Sequence, residues 1–344
     1  MRSLVEKFVG QPCIAIDLGT ANTRIYDCGQ GSIAEEPSLV QHVTGDDDSC
    51  QDEYIAHLNA QFVSAPLRGG VVVDVGNAIS LLRPMLRRSR HWLRQPATLA
   101  CAPTDTTEPE RKRLAAALLG AGAAHVAIIP EPWAAAIGAD LDVTAPAAQL
   151  LIDIGQGVTD LAVIRDGRLV YTSAVRTACH DLQQAIKNAI LSRHRVALYP
   201  DDLETLTHEI AALLDPETAE PRLLTLSGID IIRRCQVEIA VRQKEIVGAM
   251  EPVFGKILRM IETSLRRLPE YLAAEVYDSG ICLTGGGSCI TGIDRLIAAH
   301  TSLEVRVASD PHHAVINGAS QTLRFWKERD DAWWNAITWP RLPS

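Results

Sequence analysis

Two stretches far apart in this chain follow one plan, and together they constrain the fold more than any other feature. Ile14-Ala15-Ile16-Asp17-Leu18-Gly19-Thr20-Ala21-Asn22-Thr23 leads into Arg24-Ile25-Tyr26. Leu151-Ile152-Asp153-Ile154-Gly155-Gln156-Gly157-Val158-Thr159-Asp160 leads into Leu161-Ala162-Val163-Ile164. Each is an apolar run of strand type that reaches an Asp, turns on Gly and returns as a second strand. That pattern predicts a β-hairpin carrying Gly, Thr and a carboxylate at its tip. Gly lets a phosphate come close to successive backbone N–H groups. Thr and Asn add hydroxyl and amide donors, and a carboxylate suits Mg²⁺ through its water shell. One such loop is ordinary turn chemistry. A pair predicts two similar lobes facing one nucleotide.

A third Gly-rich turn follows a buried strand: Gly280-Ile281-Cys282-Leu283-Thr284-Gly285-Gly286-Gly287-Ser288, then Ile290, Ile293, Leu296 and Ile297 at helical spacing. Its glycines are expected to let the chain pass under a flat ligand such as an adenine ring and to open a helix N-terminus toward phosphate. Elsewhere strand and helix patterns alternate. Residues 96–103 read as a strand, 108–120 as a helix with a start signal at Thr106/Thr107 and Glu110, and 124–130 as a strand. Residues 179–195 and 229–270 read as predominantly helical, with breaks at Gly228 and Pro252. The Asp142–Pro146 segment is the expected boundary, giving one lobe of residues 1–143 plus 310–344 and another of residues 144–309.

Composition closes off other classes. A net charge of −9 argues against a nucleic-acid surface, and the acidic run Gly45–Ser49 reads as a solvated loop without metal. The 8 cysteines form no C-x-x-C pair and show no zinc-type His spacing. Most stand in apolar strands, where a reduced thiol is a small hydrophobe, so a cytoplasmic protein is expected. No apolar run approaches the ~18 residues that a bilayer span needs.

Further motifs stand in a telling order. Glu36-Pro37-Ser38-Leu39-Val40 follows the first hairpin, and Glu131-Pro132-Trp133-Ala134-Ala135-Ala136-Ile137-Gly138-Ala139 precedes the second. Gly292-Ile293-Asp294-Arg295-Leu296 follows the triple glycine, and Asp310-Pro311 through Gly318-Ala319 closes the series. With Asp17–Thr23, these make the chain resemble the actin/Hsp70/sugar-kinase superfamily, and within it the bacterial actins of the MreB type. The resemblance implies an α/β, actin-like two-lobed fold, with duplicated RNase H-like β-sheet domains around a nucleotide cleft and ATP and Mg²⁺ as cofactors. It implies a homopolymer filament lying peripherally on the inner face of the cell membrane. There it would work with wall-synthesis or morphogenesis membrane proteins to organise the cell wall and cell shape.

By the same resemblance Glu131 orients the attacking water, and Asp17 and Asp153 are the Mg²⁺-side carboxylates. The cofactor set is Asp17, Gly19, Thr20, Ala21, Asn22, Asp153, Gly155, Gln156, Gly157, Thr159, Glu209, Gly285, Gly286 and Gly287. A carboxylate at 131 suits ATP hydrolysis, which depends on placing water in line and stabilising charge. It also suits a plain helix N-terminus ahead of Pro132. Departures from the family fall close to this chemistry. Gln156 and Val158 replace Gly and Thr, Arg176–Asp181 replaces a Gly-Gly-Asp turn, Thr207 replaces a Lys ahead of Glu209, and Ala211 replaces a Gly. The chain is also shorter than the family between Tyr54 and Pro66, so a reduced small subdomain is expected in lobe one. ATP binding is expected to survive these changes. Hydrolysis is left open between a weak ATPase and a static scaffold, and a small-molecule kinase of the same superfold is the alternative from another class.

Trp92-Leu93 lies among Arg87, Arg88, Arg90 and Arg94, a pattern suited to an anionic lipid interface, and is the expected membrane contact. The N-terminal Leu4-Val5 and Phe8-Val9 are a further candidate. The tail from Trp326 to Trp339 reads first as a packing or partner-docking segment.

Overall fold

The computed structural model describes residues 13–41, 63–88, 95–210 and 223–325. The chain divides into two compact units, Met1–Ala134 with Ile316–Ser344 and Ala135–Val315. The first change of unit thus falls at Ala134, ahead of the expected Asp142–Pro146 segment.

In the first unit the chain runs β1 (Cys13–Leu18), β2 (Asn22–Asp27), β3 (Ser32–Pro37), β4 (Val40–Gln41), β5 (Val63–Ser64), β6 (Leu67–Arg68) and β7 (Val71–Val72). It continues through α1 (Val75–Arg88), β8 (Ala97–Ala102), α2 (Glu108–Ala121), β9 (His125–Pro130) and α3 (Glu131–Gly138). The main sheet has the order β3-β2-β1-β8-β9. Its first three strands are antiparallel, and β8 and β9 run parallel to β1. Alternation along β1 sends Ile14, Ile16 and Leu18 into a core with Leu82 and Leu86 of α1 and Leu118 of α2. Asp17 therefore lies on the other face. Helix α2 starts as expected: the Thr107 N–H and hydroxyl both donate to Glu110 Oε2 at 2.8 Å. It stops at Gly122, whose φ of 117° is open to glycine.

The second unit runs β10 (Gln149–Ile154), β11 (Thr159–Arg165), β12 (Arg168–Val175), α4 (Cys179–His194), β13 (Val196–Leu198), α5 (Pro200–Ile210), β14 (Leu223–Asp230) and β15 (Cys235–Arg242). It continues through α6 (Gln243–Arg267), α7 (Glu270–Ser279), β16 (Ile281–Thr284), the 3₁₀ turn Gly286–Cys289, α8 (Ile293–Thr301) and β17 (Val305–Val307), and α9 (Ala314–Phe325) leads back into the first unit. Its main sheet, β12-β11-β10-β16-β17, repeats the first in order. Pairing senses repeat as well: antiparallel among β10, β11 and β12, parallel for β16 and β17. Leu150, Ile152 and Ile154 of β10 enter the core with Ile186 of α4 and Ile257 of α6, which leaves Asp153 on the opposite face.

Residues 229–242 are not helical. Cys235, Val237, Ile239 and Val241 alternate with other residues at period two, and β15 pairs with β14 from Leu223↔Arg242 to Asp230↔Cys235. Gly228 lies inside β14, where an added Cβ would sit 2.5 Å from Val196 Cγ1 and 2.6 Å from the Ala197 carbonyl oxygen. It lets β13 approach closely rather than ending a helix. Pro252 does not end α6 either. The buried stripe Ile246, Met250, Val253, Phe254, Ile257 and Ile261 carries the helix through the missing N–H.

Trp92, Leu93, Gly45–Ser49, the N-terminal candidate and the tail from Trp326 lie outside the described residues, as does most of the stretch from Tyr54 to Pro66. Among the described residues no helix is long and apolar enough to cross a membrane.

Candidate functional site

In the first unit the turn between β1 and β2 closes through the Gly19 N–H, which donates to the Asn22 carbonyl at 3.1 Å. A Cβ on Gly19 would lie 2.7 Å from that oxygen, so the closure requires glycine. The segment after β3 then clamps the turn. The Ser38 N–H donates to the Ala21 carbonyl at 2.7 Å and its hydroxyl donates to the Gly19 carbonyl at 2.6 Å. With that proton committed, the Thr23 hydroxyl donates to Ser38 Oγ at 2.8 Å. Thr20 Oγ1 accepts the Gly70 N–H at 2.9 Å. Asp17 is 6% exposed and stands opposite Arg24, which stands opposite Glu35. Arg24 reaches both: Nη1 lies 3.4 Å from Asp17 Oδ2 and Nη2 lies 2.8 Å from Glu35 Oε1. Glu131 begins α3, 7% exposed. Its charge and that of Asp17 are both felt by Cys101 on β8, whose thiol is driven well above its ordinary range, first by burial and then by these carboxylates. Asp17, Glu131 and Cys101 therefore share one neighbourhood.

The second unit repeats the device. The Gly155 N–H donates to the Val158 carbonyl at 3.0 Å. The clamp again comes from beyond the third strand: the buried Thr159 hydroxyl donates to the Thr177 carbonyl at 2.8 Å, and the His180 N–H donates to the Gln156 carbonyl at 2.8 Å. In place of the expected Gly-Gly-Asp turn, the Ala178 N–H donates to Asp181 Oδ2 at 3.0 Å and starts α4. Gln156 is anchored to that helix, its Nε2 donating to Gln183 Oε1 at 2.8 Å, while Val158 is buried. Asp153 stands opposite Asp160, at 6% and 0% exposure, and the Thr284 hydroxyl donates to Asp153 Oδ1 at 2.9 Å.

The triple glycine packs against the same strand end. Gly285 has φ +77°, and a Cβ there would lie 2.4 Å from the Ile154 carbonyl oxygen and 2.6 Å from Asp153 Oδ1. A Cβ on Gly287 would lie 2.3 Å from Ile154 Cγ2. Burial, reinforced by the Asp153 charge, pushes the neighbouring Cys179 thiol up to about 12.

The expected residues thus fall into two groups, one per unit. Asp17, Gly19, Thr20, Ala21 and Asn22 form one turn, with Glu131 in the neighbourhood of Asp17. Asp153, Gly155, Gln156, Gly157, Thr159, Gly285, Gly286 and Gly287 gather at the end of β10. Glu209 belongs to α5, its side chain outside the described set. Four contributors stand inside the quoted motifs but received no site role from them: Arg24, Ser38, Asp160 and Thr284. Hairpin register alone would have revealed Arg24 and Asp160, each facing an aspartate across a two-stranded pair.

The MreB/Mbl protein family profile matches residues 11–330. The chain belongs to the MreB/Mbl family. The cell shape-determining protein MreB of Escherichia coli (strain K12) is 31% identical over 337 residues, 93% of this chain and 96% of that protein. MreB5 of Spiroplasma citri, crystallised with AMPPNP, superposes with a TM-score of 0.81 at 29% identity, covering 93% of this chain and 98% of that one. The MamK double helical filament superposes with a TM-score of 0.73 at 19% identity, over 91% and 98% of the two chains, a likeness of fold alone. The duplicated α/β architecture of this MreB/Mbl chain is thus the actin-like fold.

Chemically, each turn of this family member offers backbone donors beside a buried carboxylate. The Mg²⁺ implied by the resemblance suits Asp153 and Asp160, two opposed carboxylates of which one already accepts a hydroxyl proton. It suits Asp17 poorly, because a guanidinium already lies against that carboxylate.

Proposed function

We propose that this MreB/Mbl-family protein binds ATP with Mg²⁺ and polymerises with copies of itself into filaments on the inner face of the cell membrane, where it organises wall synthesis and cell shape. The observation that carries the nucleotide reading is the hairpin turn built twice, each closed by one glycine N–H and clamped from beyond the third strand. Backbone N–H groups of Gly19–Asn22 and Gly155–Val158 bind phosphate oxygens, with Thr20 and Asn22 adding side-chain donors. Asp153 and Asp160 hold the cation, which when bound screens phosphate charge. Gly285–Gly287 and Glu209 serve the nucleoside, and Glu131 orients a water for attack on the terminal phosphate. Likeness to MreB5, solved with AMPPNP, supports the ligand, and likeness in fold to the MamK filament supports self-assembly. Trp92 and Leu93 supply the lipid contact.

A second reading, a filament that binds ATP without turning it over, is favoured by one observation. Gln156, bulkier than the glycine of the family pattern, is tied to α4, and Val158 is buried and brings no hydroxyl to the second turn. Both readings are tested by mixing purified protein with Mg-ATP, with and without anionic liposomes, imaging by negative-stain electron microscopy and following phosphate release. Filaments with phosphate release support the dynamic polymer, and filaments without it support the static one. Bound ATP with no filaments under either condition refutes the cytoskeletal reading and favours a kinase or monomeric switch.

A further inference from the structure

We propose that Cys13 and Cys28 form a redox-modification site: two thiols on facing strands that an oxidant of the disulfide class joins into a cross-strand bond, stapling the open end of the first hairpin. The proposal is independent of the nucleotide-binding reading above.

The ladder sets the pair. The register of β1 and β2 runs from Leu18↔Thr23 out to Ile14↔Asp27. One step further out, the Cys28 N–H donates to the Cys13 carbonyl at 3.1 Å. Cys13 and Cys28 are therefore directly opposed in a hydrogen-bonded position, with both side chains on the sheet face that carries Ala15 and Tyr26. Cα atoms in such a pair lie about 5.5 Å apart, inside the span of about 4.4–6.8 Å that a disulfide bridges. Cysteines on other described strands face different chemistry. Cys101 meets Ile129, Cys235 meets Asp230, and Cys282 stands between Leu151 and Arg306.

Access and acidity decide how the bond forms. Cys28 is exposed and Cys13 half-buried. Although Cys28 reaches solvent, the protein packed around its sulfur, then Cys13 and Asp27, push its thiol up to about 12, opposed by the Arg324 charge. Little thiolate is present near neutral pH, so the site closes slowly under sustained oxidation and is not a fast peroxide sensor. With oxidised glutathione, the Cys28 thiolate attacks one sulfur of the oxidant and expels one glutathione thiolate. The Cys13 thiolate then attacks Cys28 Sγ in the mixed disulfide and expels the second. Two protein thiols lose two electrons and two protons, and the oxidant leaves as two thiols. The new ring encloses β1, the Gly19–Asn22 turn and β2, and a closed loop of about 15 residues stabilises by restricting the unfolded chain.

The test uses the full-length protein, incubated for hours with oxidised glutathione at about pH 8.5, where more thiolate forms. Remaining thiols are alkylated, and a tryptic digest is read by mass spectrometry without reduction. Cleavage after Arg24 parts the two cysteines, so the bond appears as a fragment carrying Cys13 joined to one carrying Cys28. The second fragment also holds Cys50, so loss of the link in Cys28→Ser assigns it. The melting temperature should rise by about 5–10 °C on oxidation and fall back with dithiothreitol. Cys13→Ser and Cys28→Ser should each abolish both link and rise, while Cys235→Ser, at another exposed cysteine, keeps both. Melts of the reduced variants check folding, and Cys28→Ser, at an exposed position, decides the matter if Cys13→Ser does not fold. Binding of a fluorescent ATP analogue should be unchanged by oxidation, because the bond closes the hairpin at the end away from the turn. Both thiols still alkylated after oxidation would overturn the proposal, as would a glutathione adduct on Cys28 that never closes or a Cys28–Cys28 bond between two chains. A Cys13–Cys28 bond that leaves the melting temperature unmoved would overturn the staple.

Discussion

Gly285→Ala is the substitution whose cost the geometry fixes best. Gly285 sits at φ +77°, a region where an L side chain costs about 1–2 kcal/mol. A methyl group there would lie 2.4 Å from the Ile154 carbonyl oxygen, 2.7 Å from the Ile154 carbonyl carbon and 2.6 Å from Asp153 Oδ1. Two of these neighbours are backbone of the central strand β10 and cannot step aside. Overpacking of that kind costs about 1–3 kcal/mol, so the two effects together give about 2–5 kcal/mol. Gly286 is an internal control. Its nearest neighbour is the His312 ring edge at 3.3 Å, the far end of a side chain rather than backbone, and Gly286→Ala should stay within ~1 kcal/mol of wild type. Urea denaturation followed by circular dichroism separates the two. With a slope of about 2 kcal/mol per M, Gly285→Ala lowers the midpoint by roughly 1–2.5 M while Gly286→Ala barely moves it. Because the methyl also presses on Asp153, Gly285→Ala should weaken binding of the ATP analogue out of proportion to any effect of Gly286→Ala. Equal midpoints for the two variants would refute the claim that packing against β10, rather than a ligand, demands the first of these glycines.

Three other substitutions follow from single features. Thr107→Ala removes the hydroxyl half of the α2 capping box and should cost about 1 kcal/mol, read as a lower melting temperature. Cys179 has a folded pKa raised from 9.0 to about 12, so its burial contributes fully below pH 9.0, and that contribution is lost as pH rises through about 12. Cys179→Ala should therefore flatten the alkaline limb of a plot of melting temperature against pH. In preparations that release phosphate, Glu131→Gln should slow release by ~10²-fold or more while binding of the ATP analogue persists, and unchanged release would remove Glu131 from catalysis.

The parts of this molecule legible in the sequence are those where one pattern dominates. Ile14/Ile16/Leu18 and Leu150/Ile152/Ile154 alternate around an Asp, and both hairpins form where that alternation ends at Gly. Thr107 and Glu110 announce the start of α2. Residues 229–242 were illegible because Cys235–Arg242 runs straight into the amphipathic α6, and the long-range pairing with β14 decides where strand ends and helix begins. Pro252 misleads for a related reason: a stripe of buried side chains on α6 outweighs one lost hydrogen bond. In the site, motif reading found the turn residues but assigned glycines to ligand contact where packing also demands them, as at Gly285 and Gly287. It gave Arg24 no role because that residue belongs to no loop. Its role comes from standing one strand away from an aspartate and one strand away from a glutamate.

The two units keep their likeness in the backbone and lose it in the side chains. Each turn is closed by a Gly N–H and clamped from the segment after its third strand, although Ser38 does in the first what Thr177, Cys179 and His180 divide among them in the second. Those contacts hold donors in place and leave the tips open to change. The first tip carries Thr20 and Asn22; the second carries Gln156, anchored to α4, and the buried Val158. Across the hairpins the divergence becomes one of charge, with Arg24 in one unit where the other has Asp160. Arg24 faces the aspartate of one hairpin and Asp160 faces that of the other, so equivalent places on a repeated backbone present different charge, and the likeness of the two units rests on main-chain closure rather than on a shared set of side chains.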